Sequence, residues 1–371
     1  MRVPRVLVPL VIAAGAACGS SSGTMSKLPG TAGAGGTTAG QGGAASAGTS
    51  GAGDAGRAGG AGTSGGTAGT NGRAGTNGRA GTSGAAGTSG AAGTNGGGAA
   101  GTSGTAGTSG ATTAGCGLAS PPAVGAANPQ TINVTDSKGT TTARQFYVSL
   151  PANYDSSQPT RVVFAWHYAG GSASALISSS YGGNFYGIQP LLPNTIFVAG
   201  QGLLSTSGDA TTSGWPNTNG GDVAFAKAMI AWVEANFCVD PARILSTGMS
   251  YGGIMSDTLG CQMPDVFRAV GIMSGALYNF GTACKSHPIA AWITHGDADT
   301  MVDISGDETA RDQFLADNHC GTTTTAVTPS PCVSYGGCDS GYPVVWCEVA
   351  GEGHTIPSFA ASGIANFFAQ F

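Results

Sequence analysis

Charged side chains are scarce in this chain. Asp, Glu, Lys and Arg make up 9% of its 371 residues, and Lys and Arg together number only 14. With no basic run among them, the dense cationic face that nucleic-acid binding needs is missing. A net charge of −5 is too mild to point to any other partner. Cys-x-x-Cys pairs are absent as well, and the cysteine spacings are irregular, which disfavours zinc. Histidines number five, few enough to weigh one by one. After the first residues, no apolar stretch is long enough to cross a bilayer.

What is present falls into unequal parts. From Gly19 to Gly115 the chain is almost wholly Gly, Ala, Thr and Ser. Large apolar side chains are nearly missing there, so burial cannot offset the entropy of ordering the chain. Part of the segment repeats every six residues, as in Ala68-Gly69-Thr70-Asn71-Gly72-Arg73 and Ala74-Gly75-Thr76-Asn77-Gly78-Arg79. A stacked solenoid would need apolar residues for a continuous core. The expectation is a disordered spacer over residues 19–115, with a root-mean-square reach of about 50–60 Å.

Ahead of it, Met1-Arg2-Val3-Pro4-Arg5 is basic, Val6 to Ala14 is apolar, and Gly15-Ala16-Ala17 supplies small residues. That is the pattern of a secretory signal peptide over residues 1–18. Cys18, directly after the small residues, resembles the lipid-modified cysteine of bacterial lipoproteins. The departure is Gly15, where an aliphatic residue usually stands. A membrane association is therefore expected only through an N-terminal lipid anchor, with plain secretion as the alternative.

Residues 116–371 read as one folded domain, long enough to bury most of its surface. Eight of the nine cysteines lie there: Cys116, Cys238, Cys261, Cys284, Cys320, Cys332, Cys338 and Cys347. An even number in an exported chain suggests four disulfides, with roughly a hundred possible pairings.

The chemistry sits at strand ends. Arg161 to Trp166 is a short apolar run, as a buried parallel strand would be, and it ends in His167-Tyr168-Ala169-Gly170-Gly171. Thr195 to Ala199 is a second such strand. Gly220-Gly221-Asp222 is expected to start a helix, with Asp222 as its N-cap. Its apolar face would carry Val223, Ala226, Ile230, Val233 and Phe237. The strand Arg243 to Thr247 then runs into Gly248-Met249-Ser250-Tyr251-Gly252-Gly253 and a helix-like Ile254 to Leu259. Strand, Gly-x-Ser-x-Gly and helix together form a nucleophile elbow, where a sharp turn exposes the serine hydroxyl. A structural turn is the rival reading, since a Gly-rich chain makes the five-residue match by chance.

A serine of ordinary acidity needs a base, and a histidine base needs an acid to fix its tautomer. In this fold class they follow in the order Ser, Asp or Glu, His. After Ser250 come the strand Ile289 to Thr294 and then His295-Gly296-Asp297-Ala298-Asp299, offering two acids. Last come the strand Val344 to Val349, Gly351-Glu352-Gly353-His354, and a closing helix over Phe359 to Phe371. His354 is the expected base. His167 and His295 each end a strand, where a structural hydrogen bond is the expected role. No motif surrounds His287 or His319. Trp215, in Gly214-Trp215-Pro216-Asn217, either stacks on substrate or packs in the core; the first reading makes it a substrate-binding residue.

Gly248-Met249-Ser250-Tyr251-Gly252-Gly253, His295-Gly296-Asp297-Ala298-Asp299-Thr300-Met301-Val302 and Gly351-Glu352-Gly353-His354 resemble bacterial and fungal feruloyl esterases. These belong to the carbohydrate esterase group that also holds acetylxylan esterases and poly(hydroxybutyrate) depolymerase-like proteins. Met273-Ser274-Gly275-Ala276-Leu277-Tyr278 and Cys332-Val333-Ser334-Tyr335-Gly336-Gly337-Cys338 look closest to the type D enzymes.

The resemblance spans the whole expected domain. It implies an α/β-hydrolase with a mostly parallel sheet, disulfide-stabilised. It also implies Asp299 rather than Asp297 as the acid, and no metal or cofactor. Tyr251 would give one oxyanion amide. The loop after the first strand would give the other, at Tyr168, although relatives carry His-Gly where this chain has His167-Tyr168.

The expected partner is feruloylated plant polysaccharide or a small hydroxycinnamate ester. Acetylxylan or polyester hydrolysis is the alternative within the class. A non-catalytic polysaccharide-binding surface protein is the alternative outside it.

Overall fold

The computed structural model describes residues 113–178, 181–207, 210–278 and 283–371. The expected signal segment, Cys18 and nearly all of the Gly-rich spacer lie outside them. Chain packing reaches slightly further upstream than Cys116. Thr113 Oγ1 donates to the Phe237 carbonyl and the Gly115 amide to that of Glu234.

The short apolar runs of the sequence become the centre of a ten-stranded sheet. In chain order the strands are β1 Gln130–Thr135, β2 Thr141–Ser149, β3 Thr160–Trp166 and β4 Thr195–Gly200. Next come β5 Leu203–Ser207, β6 Ala210–Gly214, β7 Val239–Met249 and β8 Ala269–Met273. The last four are β9 Ala290–Gly296, β10 Thr324–Ala326, β11 Val333–Tyr335 and β12 Val344–Val349. Across the sheet the order is β1-β2-β4-β3-β7-β8-β9-β12-β11-β10, and β5 with β6 forms a separate hairpin. From β4 to β12 every pairing is parallel, whereas β1, β2, β10 and β11 extend the two edges antiparallel. All residues of β4, β8 and β9 are buried. Continuous apolar runs are what a strand covered on both faces requires.

The helices are α1 Ala173–Ser178, α2 Gly183–Tyr186, α3 Gly221–Asn236, α4 Tyr251–Gln262, α5 Ser305–Asp317 and α6 Ala360–Phe368. One face of the sheet packs against α3, α4 and α5 through Phe225, Val233, Leu259 and Phe314. The other packs against α1 and α6 through Leu176, Ile364 and Phe368. This is the α/β-hydrolase architecture.

The start of α3 corrects one expectation. Asp222 lies inside the helix rather than capping it, and Gly220 holds the N-cap position. Capping comes instead from Asn217, whose Oδ1 accepts the amides of Asp222 and Val223, both at 3.2 Å. The Asp222 carboxylate is buried against Arg144 at 2.8 Å, tying α3 to β2. Burial alone would keep that carboxyl neutral, and its pKa does lie above the usual value, with Arg144 opposing the rise. Arg144 also lies over the Phe225 ring at 4.2 Å.

All eight cysteines of the domain pair, as Cys116–Cys238, Cys261–Cys284, Cys320–Cys338 and Cys332–Cys347. Two of these bridges hold the antiparallel β10–β11 edge, and Cys116–Cys238 ties the start of the domain to β7. Among the described residues no helix is long and apolar enough to cross a membrane.

Candidate active site

Every candidate catalytic side chain stands at the carboxyl edge of the parallel strands, where open α/β sheets place their sites. Ser250 follows β7 and takes φ 57, ψ −122, a backbone conformation that costs energy for any side chain. Two glycines make the turn possible. A Cβ at Gly248 would meet the Gly252 carbonyl oxygen at 2.2 Å, and one at Gly252 would meet that of Trp166 at 1.9 Å. The Ser250 amide is held by the Met273 carbonyl at 2.9 Å.

Ser250 Oγ lies 2.8 Å from His354 Nε2. His354 Nδ1 lies 2.6 Å from Asp299 Oδ2. The carboxylate can only accept, so Nδ1 carries the proton and Nε2 is free to accept from the serine. Asp299 Oδ1 accepts the amides of Met301 and Val302 at 2.8 and 3.0 Å, and its side chain is fully buried. Asp297 is exposed and turned elsewhere, accepting the Gly351 amide on the loop that leads to His354. His287 and His319 are both exposed, the latter beside Asp339.

Tyr251 begins α4, and the first hydrogen bond of that helix runs from the Ile254 amide to the Ser250 carbonyl. The Tyr251 amide is thus one of the donors a helix start leaves without an intrahelical acceptor. Burial pushes the Tyr251 phenol up to about 12, and its ring packs against the core on the α4 side of the sheet.

The loop after β3 is held at three successive carbonyls. Tyr186 Oη donates to Trp166 O at 2.7 Å, and Trp215 Nε1 donates to His167 O at 2.8 Å. Tyr168 O accepts the Gly171 amide at 2.9 Å. It also accepts from His167 Nδ1 at 2.8 Å, because His167 Nε2 is taken by the Gly202 amide at 2.9 Å. His167 is therefore the neutral Nδ1–H tautomer. Burial drives its pKa down to about 4, against the Tyr168 carbonyl.

Trp215 is a correction. It is 1% exposed and packs edge-on to Trp166, with ring centroids 5.0 Å apart. No face is left for a ligand, because the Gly-Trp-Pro turn folds inward to bring its indole N–H to the β3 loop. In a trans peptide the C=O and N–H point in opposite directions. Holding His167 O on one side therefore aims the Tyr168 amide the other way.

Sequence reasoning missed Asp257 and Asp307 behind the site and expected of His295 only a structural hydrogen bond. His295 Nδ1 lies 2.7 Å from Asp307 Oδ2, and His295 Nε2 lies 3.0 Å from Val302 O and 3.3 Å from Asp299 Oδ2. Asp257 of α4 is fully buried next to Asp307. Nothing in local spacing pairs Asp257, His295 and Asp307. Only the packing of α4 and α5 on the same face of the sheet does so.

An α/β-hydrolase sheet with this elbow defines a hydrolase of that fold class, and the feruloyl esterase relatives make it a carboxylic ester hydrolase. The prolyl oligopeptidase family model matches residues 211–314. Feruloyl esterase D of Neurospora crassa is 33% identical over 62% of this chain and 82% of its own length. Feruloyl esterase C of Emericella nidulans is 35% identical over 48% of this chain and 64% of its own. Among solved structures, an acetyl xylan esterase from Aspergillus awamori is 17% identical with a TM-score of 0.48, covering 66% of this chain and all of that one. The chain belongs to the feruloyl esterase family, on the type D side.

Proposed function

We propose that the protein is an exported serine esterase that hydrolyses hydroxycinnamoyl esters on plant polysaccharide. The observation that carries this reading is the unbroken line from Asp299 through His354 to Ser250, at 2.6 and 2.8 Å. Ser250 attacks the ester carbonyl while His354 takes its proton, and Asp299 holds the imidazole in the productive tautomer. Charge then develops on the carbonyl oxygen, where the amides of Tyr251 and Tyr168 receive it. His354 returns the proton to the departing sugar hydroxyl. Water, activated by the same histidine, then releases the acid. No metal or cofactor enters.

The acyl preference rests on two supports. The relatives are named feruloyl esterases, and tyrosines gather at the carboxyl edge of the sheet. Tyr168 and Tyr181 meet edge to face with centroids 5.2 Å apart, and Tyr278 follows β8. Planar phenolic rings gain from such walls about 0.5–1.5 kcal/mol per well-placed pair beyond buried area. These tyrosines take the part that Trp215 cannot. Four disulfides suit an oxidising extracellular compartment. In this reading residues 1–18 are an export signal with Cys18 as lipid acceptor, and the Gly-rich segment is a spacer to the catalytic domain.

The deciding experiment compares wild type with Ser250→Ala on methyl ferulate, p-nitrophenyl acetate and polyhydroxybutyrate. Methyl ferulate should show the highest kcat/KM, and the variant should lose on the order of 10⁶ in turnover. A near-normal variant would remove Ser250 from the mechanism. A preference for the acetyl ester or the polyester would leave the triad and change the substrate.

A further inference from the structure

His295 stands behind Asp299 with three acceptors and no donor around its ring. Nδ1 faces Asp307 Oδ2 at 2.7 Å, while Nε2 faces Val302 O at 3.0 Å and Asp299 Oδ2 at 3.3 Å. A neutral imidazole has one N–H and would turn a lone pair toward one of these groups. With the carboxyl proton of the neighbouring acid pair on Asp257 and Asp307 ionised, both nitrogens face acceptors, which requires the doubly protonated ring. We propose that His295 is a positioning residue, a buried imidazolium clamped between Asp307 and Asp299 that orients the Asp299 carboxylate and tempers its pull on His354. This inference rests on the assignment of Ser250, His354 and Asp299 as the triad.

The surrounding charges fit. Asp307 Oδ2 also accepts the Gly275 amide at 2.9 Å. Its Oδ1, and both oxygens of Asp257, have no ordinary donor. Burial first, and then the Asp307 charge, push the Asp257 carboxyl well above the carboxylate range. A neutral Asp257 donates to Asp307, leaving one carboxylate to balance His295 on that side. Burial opposes the His295 charge, but the Asp307 hydrogen bond and charge, Val302 and Asp299 outweigh it and raise its pKa. Asp303 before α5 and Tyr278 after β8 complete the groups that feel this cluster. Asp303 sits below its ordinary value, through Ser305 first and His295 last. The Tyr278 phenol is raised by burial and then by Asp307, Asp303 and Asp257.

The functional consequence has a definite sign. Protonated His354 is stabilised by the Asp299 charge, and a cation on the far side of Asp299 weakens that stabilisation. Neutralising His295 should therefore move the acid limb of kcat/KM to higher pH.

The test uses the full chain and its His295→Gln variant, assayed on p-nitrophenyl acetate and methyl ferulate from about pH 5 to 9, spanning the ordinary imidazole range. The acid limb should rise by about half to one pH unit. Turnover should fall about tenfold with KM nearly unchanged, as for a loss felt only in the transition state. An unmoved acid limb overturns the proposal, because a merely structural histidine would change stability without moving it. Should the variant fail to fold, nitrogen-15 histidine spectra of the wild type decide. Two ring N–H groups on His295 above about pH 6.5, its ordinary pKa, support the clamp, and a single one overturns it. Ser250→Ala is assayed alongside. If it is dead while the His295→Gln limb stays put, only the clamp fails; if it is active, the triad itself fails.

Discussion

Trp215 donates its indole N–H to the His167 carbonyl at 2.8 Å and so fixes the peptide that ends in the Tyr168 amide. Trp215→Phe keeps an aromatic ring beside Trp166 but removes the donor. The buried carbonyl left unpaired should cost about 1–3 kcal/mol of stability. Turnover of methyl ferulate should fall about 10- to 100-fold, less than the full loss of an oxyanion donor. KM should change little. Unchanged turnover would detach Trp215 from the oxyanion site.

Asp299 and Asp297 are two residues apart, yet only Asp299 meets His354, at 2.6 Å. Asp299→Asn should lower turnover by about 10⁴ through the wrong histidine tautomer. Asp297→Asn keeps an acceptor for the Gly351 amide and should cost only a few-fold. Kinetics of both variants on one soluble ester check the ranking, and the reverse order would move the role to Asp297.

His167 carries a pH signature in stability. Its folded pKa of about 4 lies below the ordinary imidazole value, with burial the main cause. An unfolded chain therefore binds a proton that the folded one refuses. The stability this histidine supports is complete above about pH 6.5 and is lost as pH falls toward 4, by up to about 3 kcal/mol. Denaturant titrations of wild type and His167→Gln should show their difference shrinking over that window. A constant difference would mean that His167 is not held neutral.

The Cys116–Cys238 bridge closes a loop of 122 residues, and Cys332–Cys347 one of 15. On the chain-entropy model their removal should cost about 4–5 and about 3 kcal/mol respectively. Paired Cys→Ser variants melted under non-reducing conditions test the order. Equal losses would count against loop entropy as the main effect.

Deleting residues 1–112 should leave activity on small soluble esters intact, since the Gly-, Ala-, Thr- and Ser-rich segment has too few large apolar side chains to join a packed core. Cys18→Ser should release a membrane-bound protein into the soluble fraction. A large activity loss in the first case would refute the spacer reading. A wild type already soluble would refute the anchor.

Much of the frame was legible from short apolar runs. Val344–Val349 carries the bounds expected for it, and the runs from Arg161, Thr195, Arg243 and Ile289 lie within or beside β3, β4, β7 and β9. The β1–β2 hairpin was not legible, because its outer positions are polar and its pattern weak. β8 escaped because five apolar residues are too few to tell a strand from a buried helix segment. Trp215 misled because Gly and Pro beside it mark a surface turn, and turn chemistry does not say which way a ring points.

Sequence order alone carried the elbow at Ser250, the acid-then-histidine succession and the strand before each, because strand and turn signals are local. The choice between Asp297 and Asp299 needed the fold or a family resemblance. The cysteine pairing, the Arg144–Asp222 bridge and the buried charges behind Asp299 required the fold itself. Asp257 on α4, His295 on β9 and Asp307 on α5 meet only because two helices pack on the same face of one sheet. Long-range proximity of this kind is set by side-chain packing across the sheet, and no spacing along the chain encodes it.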